Sequence, residues 1–301
     1  MAIKSVSSIQ NFWKAYTTYP DNTPENVANF AAFHPYDLAH FQEKYPHFFE
    51  EITHLKGRKL QERLKFEQHL YQVNGMYVLD DNNNLVKDEN HIHIWVPEPY
   101  AGNFEQAKIL ILLVNPAFNP KYHPMDQEKR IKFDNLHRDL PDYSPYEFTN
   151  GQLNKDNKLN WHYHYMYQHI ERDIGYFHPN QLFTLQYYAY PSYTRDDITF
   201  YNELLPSQIA AIQTVKEAMD RELTIIARST DRTRWLSHIP ELAQYKKLFV
   251  FTNFKQPALH PDEVIHYDTY RKKEILTMKG MLKDARKRDW KLLIQDIEPM
   301  G

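Results

Sequence analysis

The stretch best suited to chemistry is ILILLVNPAFNP, residues 109–120. An unbroken aliphatic run ends there in Asn115-Pro116, and Asn119-Pro120 follows at once. An asparagine amide does not titrate near neutral pH, so Asn115 cannot serve as a general base. It can accept a hydrogen from a water and donate one to a substrate oxygen. That suits a reaction whose leaving group does most of the work. Hydrolysis of a nucleoside's glycosidic bond is one: positive charge builds on the sugar and the base departs as an anion. The enzyme then supplies a held water, donors for the departing base and an aromatic stacking face. Pro116 would fix the turn and aim the amide. Phe118 and Tyr122 follow closely enough to offer the stacking face. The plainer reading is a buried strand ended by an Asn-Pro turn.

Other chemistries find less support. His91 and His93 are two apart in a strand-like segment and would point to one face, but no third metal ligand is evident. His162, His164 and His169 lie in the aromatic stretch WHYHYMYQHIERDIGYF, where 162 and 169 share a helical face and packing explains them better than metal. The paired aspartates at 80–81 and 196–197 read as turn or cap residues. No GxSxG occurs, and the chain has no cysteine, which excludes disulfides, zinc-thiolate sites and cysteine nucleophiles. Only 7 glycines are present, and neither GxGxxG nor GxxxxGK[ST] is among the motifs they form.

These residues need elements to position them. KILILLV is a continuous aliphatic run of strand length, as expected of a strand buried on both faces. LFTLQYY (182–188), LTIIAR (223–228) and LFVFTN (248–253) are candidates for the same sheet. Amphipathic segments separate the later strands: IAAIQTVKEAMDREL (209–223) and TRWLSHIPELAQY (233–245). Alternating strands and helices predict a parallel sheet with helices on both faces, and such sheets bind ligands beyond the carboxyl ends of their strands. Those ends read NPAFNP, AYPSYTR, RSTDRTRW and TNFKQPALHP, all polar or turn-forming. Residues 1 to about 73 show helical spacing, in ENVANFAAF, DLAHFQEKY and KLQERLKFEQHLYQV. A small β element follows, with a turn at Asp80–Asn84 and an alternating HIHIWV segment.

The bulk properties bound the rest. No stretch approaches the roughly 18 consecutive apolar residues of a membrane span, and no secretory signal is evident, so a cytoplasmic location and no membrane association are expected. The net charge of −3 argues against a general nucleic-acid binder. Residues 271–291 run the other way, with nine Lys/Arg against three acids, a local excess of six positive charges. Such a run reads either as a solvated helix face or as a surface for phosphate.

The segment WVPEPYAGNFEQAKILILLVNPAFNP resembles the first core motif of the uracil-DNA glycosylase superfamily. The likeness is to the mismatch-specific and single-strand-selective branch, with its Gly-x-Asn-Pro-Gly loop, and to related bacterial proteins. Pro97, Pro99, Gly102 and Asn103 match the lead-in of those bacterial relatives, and Asn115-Pro116 match the loop centre. YAYPS after the second strand is similar to their second motif, LTIIAR with Arg228 and Trp235 to the third, and LFVFTNFKQPALHP stands at the place of the His-Pro-Ser loop. The resemblance covers about residues 95–265. It implies that Asn115 positions water, that Pro116 and Phe118 face the base, and that Tyr190 and Ser192 line the pocket. Asn253 or His260 would fill the fourth-loop position. Gln186 or Tyr190 would read the base edge, Arg228 would contribute to binding, and Lys255 would meet phosphate. Val114 and Ala117 stand where the family has glycines, and Asp262 follows His260-Pro261 in place of serine.

The expected fold is a three-layer α/β/α sandwich on a four-stranded parallel sheet of order 2-1-3-4. It comprises an N-terminal helical extension with a small β element (1–94) and a glycosylase-like domain (95–301) with a long insert at 121–181. The expected function is base or nucleotide recognition at the strand carboxyl ends, with hydrolysis of an N-glycosidic bond in DNA as the reaction such a site would support. The alternative is a non-enzymatic nucleotide-binding sensor or accessory protein, its N-terminal helices meeting a protein partner. No cofactor and no metal are expected.

Overall fold

The computed structural model describes residues 7–14, 16, 20–82, 84–95, 97–116, 168–174, 181–192, 203–228, 232–252, 258–272, 279–295 and 297. Its centre is a mostly parallel sheet. Strand β4 (Ile109–Leu113) has all five residues buried and pairs in parallel with β5 (Leu182–Gln186) on one side and β6 (Thr224–Arg228) on the other. Strand β7 (Leu248–Phe251) pairs in parallel with β6. The aliphatic runs follow from this position, since a strand covered on both faces has no solvent side on which to place polar residues.

The expectation of four strands is corrected to six. Short antiparallel strands close both edges, β3 (Tyr100–Gly102) against β5 and β8 (Val264–His266) against β7, giving the order β3-β5-β4-β6-β7-β8. Both have only three residues, too short for a periodicity signal. The second β unit is a hairpin of β1 (Tyr77–Leu79) and β2 (Leu85–Lys87). Its turn is organised by Asp80, whose carboxylate accepts from the Asn82 and Asn84 amides. Over residues 91–95 the alternation of HIHIW makes no strand: the segment lies along the end of a helix, with the His93 and Trp95 amides donating to the Asn74 and Val73 carbonyls.

Alternate residues of the central strands face two cores. Leu110, Leu112, Phe183, Leu185, Ile225 and Ala227 point to a layer built from α1 (Ser8–Trp13), α3 (Pro35–Lys44), α4 (Gly57–Val73) and α6 (Pro206–Asp220). Between α1 and α3 lies the short α2 (Pro24–Ala28). Ile109, Ile111, Leu113, Leu182, Ile226, Phe249 and Phe251 point the other way. There they meet Ile170 of α5 (Gln168–Ile174) and Trp290 and Leu293 of α9 (Lys279–Gln295). The N-terminal helices thus share one continuous core with the sheet. Helix α1 docks on α6 through specific bonds, with Ser8 N and Oγ donating to Glu217 and the Ile9 amide to Thr214 Oγ1. Two further short α-helices are α7 (Arg232–His238) after β6 and α8 (Tyr267–Arg271) after β8.

Candidate functional site

Beyond the last rung of the sheet, β4 and β5 stay joined. The Tyr187 and Tyr188 amides donate to the Leu113 and Val114 carbonyls, and the Ser192 amide to the Pro116 carbonyl at 3.2 Å. Asn115 sits in this seam, half-buried. Its Nδ2 donates to Ser192 Oγ at 2.7 Å and to the Pro116 carbonyl at 2.9 Å. A carbonyl oxygen only accepts, so the bond to Pro116 fixes which side of the carboxamide is nitrogen. Both N–H groups are thereby used within the protein. Oδ1 is left facing away from these partners, the acceptor a bound water or a substrate donor would find.

The expected site residues divide. Asn115, Pro116 and Ser192 converge, with Ser192 2% exposed. Gln186 and Arg228 close β5 and β6 on the face that carries α5 and α9. Gln186 is opposite Leu113, and the next rung of the β4–β6 ladder sets Arg228 on Leu113's other side, so the two polar side chains flank it. Gln186 Oε1 is enclosed and accepts no hydrogen bond. His260 lies on the β7–β8 connection, where its ring meets His169 of α5 edge-on at 4.5 Å and its Nδ1 accepts from the Asp262 amide. Phe118, Asn253 and Lys255 lie outside the described residues, as do Tyr122, Ala117, His162, His164 and almost all of the 121–181 insert.

Tyr190 does not line a pocket. It is fully buried, its ring packed against Phe33 and Trp13. Its hydroxyl donates to Asp37 Oδ2 at 2.7 Å and accepts from the His34 amide at 2.9 Å. Asp37 is also fully buried and takes the Ser207 amide at the start of α6. Removal from water pushes its carboxyl up to about 6, only partly offset by the bonds from Ser207 and Tyr190. Desolvation, then the neighbouring Asp37, holds the Tyr190 phenol well above its ordinary range. Trp235 is likewise interior, its indole donating to the Leu113 carbonyl. Val114, in place of the resembled glycine, is buried beside the seam.

Arg286 of α9 was hidden among the basic residues. It reaches the carboxyl end of β7 and donates to Thr252 Oγ1 at 2.6 Å. The signal was present: Arg286 falls in helical phase with Leu282, Trp290 and Leu293, a cation inside an apolar stripe. The link from Tyr190 to Asp37 had no such signal, because it joins residues 153 positions apart.

Among the described residues no group of three or more His, Cys, Asp or Glu could hold a metal, and the His91 and His93 rings lie with centroids 4.2 Å apart, tilted by 49°. No described helix is long and apolar enough to cross a membrane. A groove of about 460 Å³ lies at the opposite, amino-terminal end of the strands, lined by residues such as Lys108, Gln181, Arg221 and Lys247. Its most distinctive group, Arg221, is spent on the Phe104 and Glu105 carbonyls, so the carboxyl end carries the better case for chemistry. Comparison with known protein families, curated proteins and solved structures finds no match to this chain.

Proposed function

We propose that the carboxyl end of the sheet recognises a nucleobase and hydrolyses its N-glycosidic bond in DNA, with Asn115 holding the attacking water. The observation that carries this reading is the fixed carboxamide: Ser192 and Pro116 take both Nδ2 hydrogens and present Oδ1 as an acceptor. A water donating to Oδ1 has its lone pair directed away from the amide, toward the sugar carbon as the base departs. In this reading Phe118 stacks on the base and Gln186 reads its edge, the role the enclosed Oε1 suits. Asn253 or His260 would steady the phosphate side.

The test uses oligonucleotides carrying uracil, hypoxanthine or a mismatch, followed by alkaline cleavage of abasic sites. Strand scission lost in Asn115→Ala supports the reading. Buried Val114 at the turn favours a second reading, a nucleotide-binding sensor on the same fold. Absence of scission together with thermal stabilisation by free nucleotide would select the sensor.

A further inference from the structure

The seam that carries Asn115 is uneven. The Tyr188 amide donates to the Val114 carbonyl at 2.7 Å and the Ser192 amide to the Pro116 carbonyl at 3.2 Å. Four steps of chain from 188 to 192 thus face two from 114 to 116, and Ala189, Tyr190 and Pro191 bulge out between the two bonds. Pairing with the neighbouring strand does not fix a bulge of this kind. Its position is set from elsewhere.

Two tyrosines set it. Both are fully buried and both reach the N-terminal helices. The Tyr188 hydroxyl shares a hydrogen bond of 3.0 Å with His69 Nε2 of α4. In the bulge itself, the Tyr190 hydroxyl donates to Asp37 Oδ2 and accepts from the His34 amide, at the start of α3. Asp37 is held in turn by the Ser207 amide of α6. Only Pro191, also buried, stands between this anchor and Ser192. Its ring fixes its own φ and restricts the residue before it, so a displacement of Tyr190 passes on to Ser192 instead of dissipating in the backbone. Ser192 Oγ then accepts from Asn115 Nδ2 at 2.7 Å.

We infer that Tyr190 is a positioning residue of the Asn115 site: anchored on α3, it sets Ser192 from behind, and Ser192 sets the carboxamide. The N-terminal helices thereby belong to the site as well as to the core. The inference rests on the reading of Asn115 as the water-holding residue and adds what holds Asn115 in place.

Single-turnover scission and amide exchange test it, on the full chain, Tyr190→Phe, Ser192→Ala and the double variant, each shown to be folded by circular dichroism. Tyr45→Phe is the control, since it removes from the same layer a buried tyrosine hydroxyl that accepts from the Glu203 amide. Tyr190→Phe should slow scission roughly two- to tenfold, the effect of one hydrogen bond, with the half-saturating oligonucleotide concentration changed by less than about twofold. The double variant should fall within about twofold of the slower single variant, because both substitutions act through one carboxamide. In Tyr190→Phe the Ser192 amide should gain about tenfold more in exchange rate than the amides of β4, which report global opening. In Tyr45→Phe it should gain no more than they do, and scission per folded molecule should be unchanged. Additive losses of rate, a loss confined to affinity, or a Tyr45→Phe that matches Tyr190→Phe overturns the inference, since the role is then structural alone. Should Tyr190→Phe fail to fold, Pro191→Ala, which keeps the anchor and frees the link, is to show the same pattern. Absence of scission with the natural sequence defeats the hydrolytic reading by itself. The anchoring is then decided by exchange at Ser192 and by the Asn115 side-chain amide resonances, which Tyr190→Phe should shift and Tyr45→Phe should leave in place.

Discussion

Asn115, half-buried, and Asp37, fully buried, show how hydrogen bonds and burial give a polar side chain a definite state. Asn115 cannot rotate its carboxamide without losing bonds to Ser192 and Pro116. Ser192→Ala removes one of them, worth a net of about 0.5–1.5 kcal/mol. If Asn115 holds the water, scission should slow roughly two- to tenfold in this variant with nucleotide affinity nearly unchanged, and an equal loss in both would point to a collapsed loop instead. Among the described residues no cation pairs with Asp37, and its burial appears as a pH dependence. Its carboxyl titrates near 6 in the fold against about 4 in the unfolded chain. Between those values the folded state binds more protons, so its contribution to stability is complete below pH 4 and is lost as pH rises through 6. The loss is on the order of 3 kcal/mol. Asp37→Asn keeps an acceptor for the Ser207 amide, turns Nδ2 toward the Tyr190 hydroxyl in place of the carboxylate oxygen that accepted from it, and removes the titration. Urea midpoints at pH 4 and pH 7 should therefore differ less in Asp37→Asn than in the unaltered chain. Parallel pH profiles for the two proteins would show that Asp37 does not titrate in this way.

Elements rest on these residues. The bond from Tyr190 to Asp37 ties the segment after β5 to α3 and, through Ser207, to α6. Tyr190→Phe strands a buried carboxylate oxygen and the His34 amide, which should cost about 1–3 kcal/mol in chemical unfolding. The edge strand β3 depends on Gly102, which has φ +107° and no room for a side chain: a Cβ there would stand 2.2 Å from the Leu182 carbonyl oxygen. Gly102→Ala should unpair β3 and cost roughly 1–3 kcal/mol, seen as faster amide exchange in Leu182–Gln186. Unchanged protection there would mean that the strand shifts to accommodate the methyl group. Gly102 also marks how much could be read in advance. It entered as part of a motif, and its physical reason, a backbone pressed against β5, emerges only from pairing partners 81 residues apart. The long aliphatic runs announced β4 and its parallel neighbours because burial on both faces leaves a composition that sequence displays directly. Short edge strands and the HIHIWV segment carried no such imprint, since their conformation is set by what they lie against. Asn115 was legible from its place after β4. Its partner Ser192 was placed in the pocket by motif, while Tyr190 from the same motif turned inward because its hydroxyl satisfies a buried carboxylate.

At the scale of the whole molecule the question is where a polyanion would approach a chain with net charge −3. The cations of α9 answer it locally. Arg286 is drawn inward to Thr252 and Arg288 bonds Thr269 and Asp289, whereas Lys283, Lys287 and Lys291 are exposed at successive turns. Over eight residues this stripe extends about 12 Å along the helix, whose Trp290 and Leu293 pack into the core that Leu113 and Phe251 line. Helix α4 bears exposed lysines too, Lys56 at its cap with Lys59 and Lys65 along it, but packs against the opposite core. The two faces therefore make a controlled comparison. If a phosphate backbone lies along α9, glutamates at 283, 287 and 291 should make the dependence of log affinity on log salt shallower by about 2–3, the share of three released counterions. Glutamates at 56, 59 and 65 change the net charge equally and should leave that slope nearly intact. Equal flattening by both triple variants would mean that only the overall charge matters, and a slope untouched by either would remove α9 from the binding surface.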